Sequence, residues 1–204
     1  MRANPMTDIP ALTPADHRRA IPDWPGNLAS RCPILGLAGW SGAGKTTLLA
    51  RLIPPLRADG LRLAVIKHAH HHFDVDYPGK DSYVLREAGA LAILVSSGRR
   101  RVLIQEKPPT PDPVLRDELA QLDQSRLDLV LVEGFRDEVF PKLEVFRSGV
   151  DRGFRFPEDQ AVLAVASDLP PPADSRPIPR FDLNNIPAIL AFVQRLQEIQ
   201  RTIL

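Results

Sequence analysis

The run Gly39-Trp40-Ser41-Gly42-Ala43-Gly44-Lys45-Thr46 fits the pattern G-x-x-x-x-G-K-[ST] at every fixed position. Phosphate oxygens need several donors converging at short range. Glycines let the backbone bend until successive N–H groups point inward. A helix beginning at Lys45 adds its unsatisfied N-terminal amides and the positive end of its dipole. Lys45 supplies a point charge for the β and γ phosphates, and the Thr46 hydroxyl is placed to bind Mg²⁺. The plainer reading is a flexible Gly/Ser turn. The apolar run Ile34 to Ala38 before it and the helical spacing after it favour the phosphate site.

Such a site also needs a carboxylate near the metal. Glu133 ends the apolar run Leu129 to Val132 and precedes Gly134, so it stands at the carboxyl end of a buried strand, where ligands of open α/β sheets bind. Its expected role is to hold the Mg²⁺ shell or to orient water. An aspartate is usual at such a position, and the longer arm leaves open whether the metal is contacted directly or through water. The alternative is a solvated acid opening a loop.

Lys67 to Asp76 contains four of the five histidines of the chain, His68, His70, His71 and His72. Imidazoles can sense a γ-phosphate through N–H donors or bind a transition metal. Asp76 and Asp81 add carboxylates for a Mg²⁺ shell. Three readings stand: a nucleotide-sensing switch loop, a solvated loop, and a dedicated metal site. The last lacks a cysteine or second histidine group elsewhere to complete its coordination sphere.

The elements that must hold these groups follow from periodicity. Strands are expected at Ile34–Ala38, Leu63–Ile66, Ala90–Val95, Arg101–Gln105, Leu127–Val132, Leu143–Phe146 and Val162–Val165. Helices are expected at Lys45–Leu56, ended or kinked by Pro54 and Pro55, at Asp81–Ala88 with Asp81 as cap, at Val114–Leu122, and at Ile186–Leu204. Alternation of strands and helices predicts an α/β fold of P-loop NTPase type, a mostly parallel sheet flanked by helices. Residues 1–31, with five prolines, read as a flexible N-terminal extension or a segment packed on the surface, and residues 32–204 as the P-loop nucleotide-binding domain.

The bulk numbers narrow the class. The chain has 204 residues and a net charge of +1, too balanced for a large nucleic-acid footprint. One cysteine, Cys32, allows no internal disulfide and fits a reducing compartment. No apolar run approaches the roughly 20 residues of a membrane span, and no secretory signal opens the chain. A cytoplasmic location, with neither membrane nor nucleic acid as partner, is expected.

Several blocks together resemble the family of molybdopterin-guanine dinucleotide biosynthesis protein B (MobB). They are Gly39 to Leu48, Val65 to His71, Asp74-Val75-Asp76 with Pro78 to Ser82, Arg86 to Ala90, Val132 to Phe135 and Pro141 to Val145. They run in order over residues 33–168, and the Lys67 to Ser82 block is the specific one. The resemblance implies a GTP-binding adaptor with weak GTPase activity that uses Mg²⁺. It also implies a homodimer that assists the enzyme attaching GMP to molybdopterin, with molybdopterin itself a further candidate ligand. By the same resemblance Thr47 joins the phosphate loop. Asp168, after a late strand, would accept hydrogen bonds from guanine N1 and N2, or else simply begins a polar loop. Lys67, Lys80 and Lys142 are candidates for phosphates or an anionic pterin, or solvated lysines.

Other readings remain: a metal-insertion GTPase using His70 to His72, a small-molecule kinase with Asp74 or Asp76 as base, and a module that binds nucleotide without hydrolysing it. No catalytic glutamine or arginine finger is evident. Arg136 and Arg147 carry charge at positions that the sequence does not fix.

Overall fold

The computed structural model describes residues 12–69, 73–108, 112–150 and 152–204. The chain divides into two compact units, Met1–His68 with Val114–Leu204, and Ala69–Pro113.

In chain order the elements are α1 (Pro14–Ala20), β1 (Ile34–Ala38), α2 (Lys45–Ala58), β2 (Leu63–Lys67), α3 (Asp81–Glu87), β3 (Ala92–Ser96), β4 (Arg101–Gln105), α4 (Leu115–Ala120), β5 (Leu129–Glu133), β6 (Lys142–Phe146), β7 (Val162–Ser167), β8 (Arg180–Asp182) and α5 (Ile186–Arg201). The larger unit is built on a six-stranded sheet of order β2-β5-β1-β6-β7-β8, with every pairing parallel. Consecutive apolar residues in β1, β5 and β7 are buried on both faces, as a sheet covered by helices on each side requires.

Successive residues of a strand point to opposite faces, so β1 and β5 each feed two cores. Leu35, Leu37, Leu129 and Leu131 join Leu48, Leu49, Leu52 and Leu56 of α2 and Ile189, Val193 and Leu196 of α5 on one face. Ile34, Val130 and Val132 join Leu115 and Leu119 of α4 on the other. The buried Gln200 side chain ties α5 to the start of β1, accepting from the Ile34 N–H at 2.8 Å and donating to its carbonyl at 2.9 Å.

Of residues 1–31, the described part 12–31 packs into the larger unit. Thr13 caps α1, accepting from the Asp16 N–H while Asp16 reaches back to the Thr13 N–H. Ile21, Trp24 and Leu28 are buried in the same cluster as Ile34, Val130 and Leu115. Prolines every few residues mask the signal, but the apolar residues between them cover a sheet face that would otherwise lie bare.

Pro54 and Pro55 lie inside α2 rather than ending it. Each removes one amide bond to the residue four earlier. The released carbonyls belong to Ala50 and Arg51, both exposed to water, and buried Leu56 holds the final turn.

The smaller unit carries α3 and an antiparallel hairpin of β3 and β4, a separate two-stranded sheet. Its turn closes through Ser97, whose N–H donates to the Arg100 carbonyl at 2.8 Å. Asp81 does not cap α3. It is the first helical residue, and the cap position is Lys80, without a side-chain bond.

Candidate functional site

The strand order turns at β1: β5 and then β2 lie on one side, β6, β7 and β8 on the other. A crevice opens at the carboxyl ends of strands where the winding reverses. The run Gly39 to Thr46 leaves β1 at that point and passes into α2. Gly39, Gly42 and Gly44 have φ of +135°, +80° and +97°, values that side chains resist. A Cβ on Gly39 would also press into the Val145 carbonyl of β6. Gly44 occupies the cap position of α2, and no side chain caps that end, so its first amides are free for an anion.

Lys45 turns its ammonium back over the loop, donating to the carbonyls of Gly39 and Trp40, each at 2.9 Å. Burial lowers its pKa, against the Glu133 carboxylate, which favours the charged form. Thr46 and Thr47 are exposed on the first turn. The Thr46 hydroxyl donates to Glu133, with Oε1 at 2.8 Å and Oε2 at 2.9 Å. Lys67, at the end of β2, approaches Oε1 of Glu133 at 3.7 Å. Leu37, Glu133 and Lys67 stand in register across β1, β5 and β2, which is why these side chains meet.

A hydroxyl whose proton is committed to a carboxylate keeps its lone pairs for a cation, and both groups are hard oxygen donors. The pair fits Mg²⁺.

Trp40 and Ser41 differ in what they offer. Ser41 is exposed at the loop tip. Trp40 turns its ring away, donating from Nε1 to the Gly153 carbonyl at 2.9 Å, with the guanidinium carbons of Arg152, Arg155 and Arg136 at 4.5, 5.2 and 5.9 Å from its ring centre. The backbone of Trp40 thus belongs to the phosphate loop, and its side chain to the segment after β6. The cleft beside it, about 570 Å³, is lined largely by charged side chains, several of them paired. Lys142 bonds Asp159 at 2.9 Å, and Asp137 takes both Arg155 at 3.2 Å and Arg136 at 3.3 Å.

Lys142 is therefore no surface ligand. It is 2% exposed, and its ammonium also donates to the Arg136 carbonyl at 2.8 Å. Glu144, fully buried, accepts from the N–H groups of Arg155 and Phe156 at 2.7 and 2.8 Å; burial raises its pKa, against those two bonds. The Pro141 to Val145 block thus anchors the crossover that carries Trp40's partners.

Asp168 follows β7. Its two oxygens accept from the N–H and hydroxyl of Ser148, both at 2.7 Å. Burial pushes its pKa up, but these bonds and nearby Arg147 bring the balance below the ordinary value. Ser148 was not singled out from the sequence; its only signal was its place three residues after the Lys142-Leu143-Glu144-Val145 run.

In the smaller unit Asp81 is exposed, whereas Asp76 is 7% exposed, with Oδ1 accepting from Tyr77 N–H and the Ser82 hydroxyl and Oδ2 buried without a partner among the described residues. Asp74 is held by Arg86 at 2.7 Å. His70 and His71, with His72, lie outside the described residues. Among the described residues no group of three His, Cys, Asp or Glu side chains could hold a metal ion, and no helix is long and apolar enough to cross a membrane.

A parallel sheet wound about β1, with a glycine-bent loop at its carboxyl end running into a helix, defines an α/β protein of P-loop NTPase type. Within that class the profile of the molybdopterin guanine dinucleotide synthesis protein B family, MobB, matches residues 34–168. The chain belongs to this family. It is 46% identical over 164 residues to the molybdopterin-guanine dinucleotide biosynthesis adapter protein of Escherichia coli, covering 79% of this chain and 91% of that one. The Haemophilus influenzae protein of the same name is 43% identical, over 81% and 89% of the two chains. The fold is similar to the crystal structure of a MobB homolog from Bacillus stearothermophilus, with a TM-score of 0.55, 27% identity, and coverage of 79% and 97%.

Proposed function

We propose that this chain is a Mg²⁺-dependent GTP-binding adapter in molybdopterin guanine dinucleotide biosynthesis, acting beside the enzyme that attaches GMP to molybdopterin and hydrolysing GTP slowly. The observation that carries the reading is the Thr46–Glu133 contact beneath a free helix N-terminus at the turning point of the sheet. Lys45 and the loop amides take the phosphates, Thr46 holds Mg²⁺, and Glu133 orients the hydroxyl or a water beside it. Lys67, at the end of β2 and 3.7 Å from Glu133, answers to the γ-phosphate. Asp168 reads the guanine edge, whose N1–H and N2–H₂ donors suit a carboxylate and which adenine does not offer. The adapter role is supported by the relatives, both of which are biosynthesis adapter proteins by name, and the one cysteine fits a cytoplasmic location.

A homodimer is part of the same reading. The β3–β4 hairpin exposes Leu94 and Leu103, cross-strand partners, and Val95 and Val102 on its opposite face. Among the described residues the hairpin has mainly the short helix α3, packed against β3, and a second copy of the chain is the cover we assign to its exposed residues. The kinase reading is disfavoured by Arg86, which occupies Asp74, one of its two candidate bases.

Calorimetry with GTP and ATP, with and without Mg²⁺, tests the reading. A GTP preference that needs Mg²⁺ and is lost in Lys45→Ala is expected, followed by capture of the GMP-transferring enzyme in a pull-down. Equal affinity for ATP would overturn the guanine assignment, and unchanged binding in Lys45→Ala would overturn the phosphate site.

A further inference from the structure

Arg147 is the first residue after β6, and its guanidinium covers the phosphate loop. Nη2, Nε and Cζ stand 3.5, 3.8 and 4.0 Å from where a Cβ on Gly44 would lie. Among the described residues this guanidinium has no hydrogen-bond or ion-pair partner. The other arginines near the loop differ: Arg136 and Arg155 are both paired with Asp137, and the guanidinium of Arg152 packs on the Trp40 ring.

The backbone that carries Arg147 is held in place. Ser148, the next residue, donates its N–H and its hydroxyl to the two oxygens of Asp168, each at 2.7 Å. Phe146, the residue before, is buried and in register with Ser167 of β7. An arginine fixed on both sides, with five free donors beside a loop built for phosphate, is a preorganised anion ligand.

Its place along the sheet edge says which phosphates it meets. In strand order the carboxyl edge carries Lys67, Glu133, the phosphate loop, Arg147 and Asp168. The metal donors Thr46 and Glu133 lie on the β5 flank, and the terminal phosphate goes with the metal. Arg147 lies on the opposite flank, between the loop and Asp168. We infer that Arg147 is a nucleotide-binding residue whose guanidinium binds the inner phosphates of a nucleoside di- or triphosphate, those nearest the ribose, and neutralises them from within the same chain. This assignment rests on the phosphate-site reading above and adds to it a ligand outside the glycine-rich loop.

The test is calorimetry on the full chain with GTP and with GDP, both with Mg²⁺, for the parent, Arg147→Ala, Arg147→Lys and Lys45→Ala. Arg147→Ala is expected to weaken both nucleotides by a similar factor, roughly 10- to 100-fold, as for loss of a charge-assisted contact. Arg147→Lys recovers part of that loss, because charge is kept and the fork is not, and the Arg147→Ala effect shrinks as salt rises. The thermal midpoint stays within a few degrees, since the side chain is exposed. Unchanged affinities in Arg147→Ala, with binding lost in Lys45→Ala, overturn this inference alone. A loss for GTP with GDP untouched also overturns it, by moving the contact to the terminal phosphate. A parent that binds neither nucleotide overturns the phosphate site and this inference with it.

Discussion

The Thr46 hydroxyl donates to the Glu133 carboxylate, with both oxygens within 2.9 Å, and so joins the first turn of α2 to the end of β5 by one shared proton. Groups that support a metal ligand typically contribute 10- to 100-fold to metal affinity. Glu133→Gln is therefore expected to lose at least about tenfold in GTP affinity when Mg²⁺ is present. In excess chelator, parent and variant should bind alike. Isothermal titration under both conditions checks this, and equal losses with and without metal would remove Glu133 from the Mg²⁺ site.

Asp168, proposed above to read the guanine edge, holds Ser148 with both of its oxygens. Asp168→Asn turns one acceptor into a donor that faces either guanine or Ser148. The GTP-to-ATP affinity ratio should fall about tenfold, the size of a charged hydrogen bond. Competition titration reads the ratio, and a ratio that stays put would sink the assignment.

His17 is fully buried, with both ring nitrogens unpartnered among the described residues, edge-on to Trp24 at 5.9 Å. Burial lowers its pKa to about 4 from 6.5. Between those values the unfolded chain binds the proton and the folded chain does not, so stability falls as pH drops from 6.5 towards 4. The full effect is about 3 kcal/mol by proton linkage. Denaturant melts at pH 7 and pH 4.5 should show a smaller drop in His17→Leu than in the parent; equal drops would mean that His17 is already protonated in the fold.

Gly39→Ala tests the loop's geometry. The substitution meets a left-handed φ and the Val145 carbonyl together. It should destabilise the protein by roughly 2–4 kcal/mol and weaken nucleotide binding more than stability, because the loop amides turn away. Urea titration and calorimetry on the same sample separate the two effects.

Leu103→Lys sets a charge on the exposed hairpin opposite Leu94. Light scattering should show the homodimer we propose shift to monomer at micromolar concentration, with the proposed GTP binding retained. A dimer of undiminished strength would move the interface elsewhere.

The site was more legible than its setting. The loop Gly39 to Thr46, the acid Glu133 and the strands that end on them were readable because each signal is local: a glycine spacing, a five-residue apolar run, an acid at its end. β8 was not readable, because three residues with Phe181 alone buried carry no periodicity. The α1 segment was obscured by prolines, although the Thr13–Asp16 cap was there to find. The helix over Lys45–Leu56 was legible from its spacing, but its run past Pro54 and Pro55 to Ala58 was not, since buried Leu56 holds that turn against propensity.

By itself the sequence determined the groups on offer: a glycine-bent loop patterned for phosphate, a lysine, a hydroxyl and a carboxylate at the edge of a parallel sheet, in a chain of the MobB family. Tertiary structure alone decided which of those groups meet. Glu133 reaches Thr46, 87 residues away in the chain, because β5 pairs with β1 in a register that ends both strands together. Lys142 is withdrawn from any ligand by Asp159, and Arg147 is brought over Gly44 by the pairing of β6 with β1. Distance along the chain carries no information about these meetings, which depend on strand order and register, and those are settled by burying two sheet faces at once.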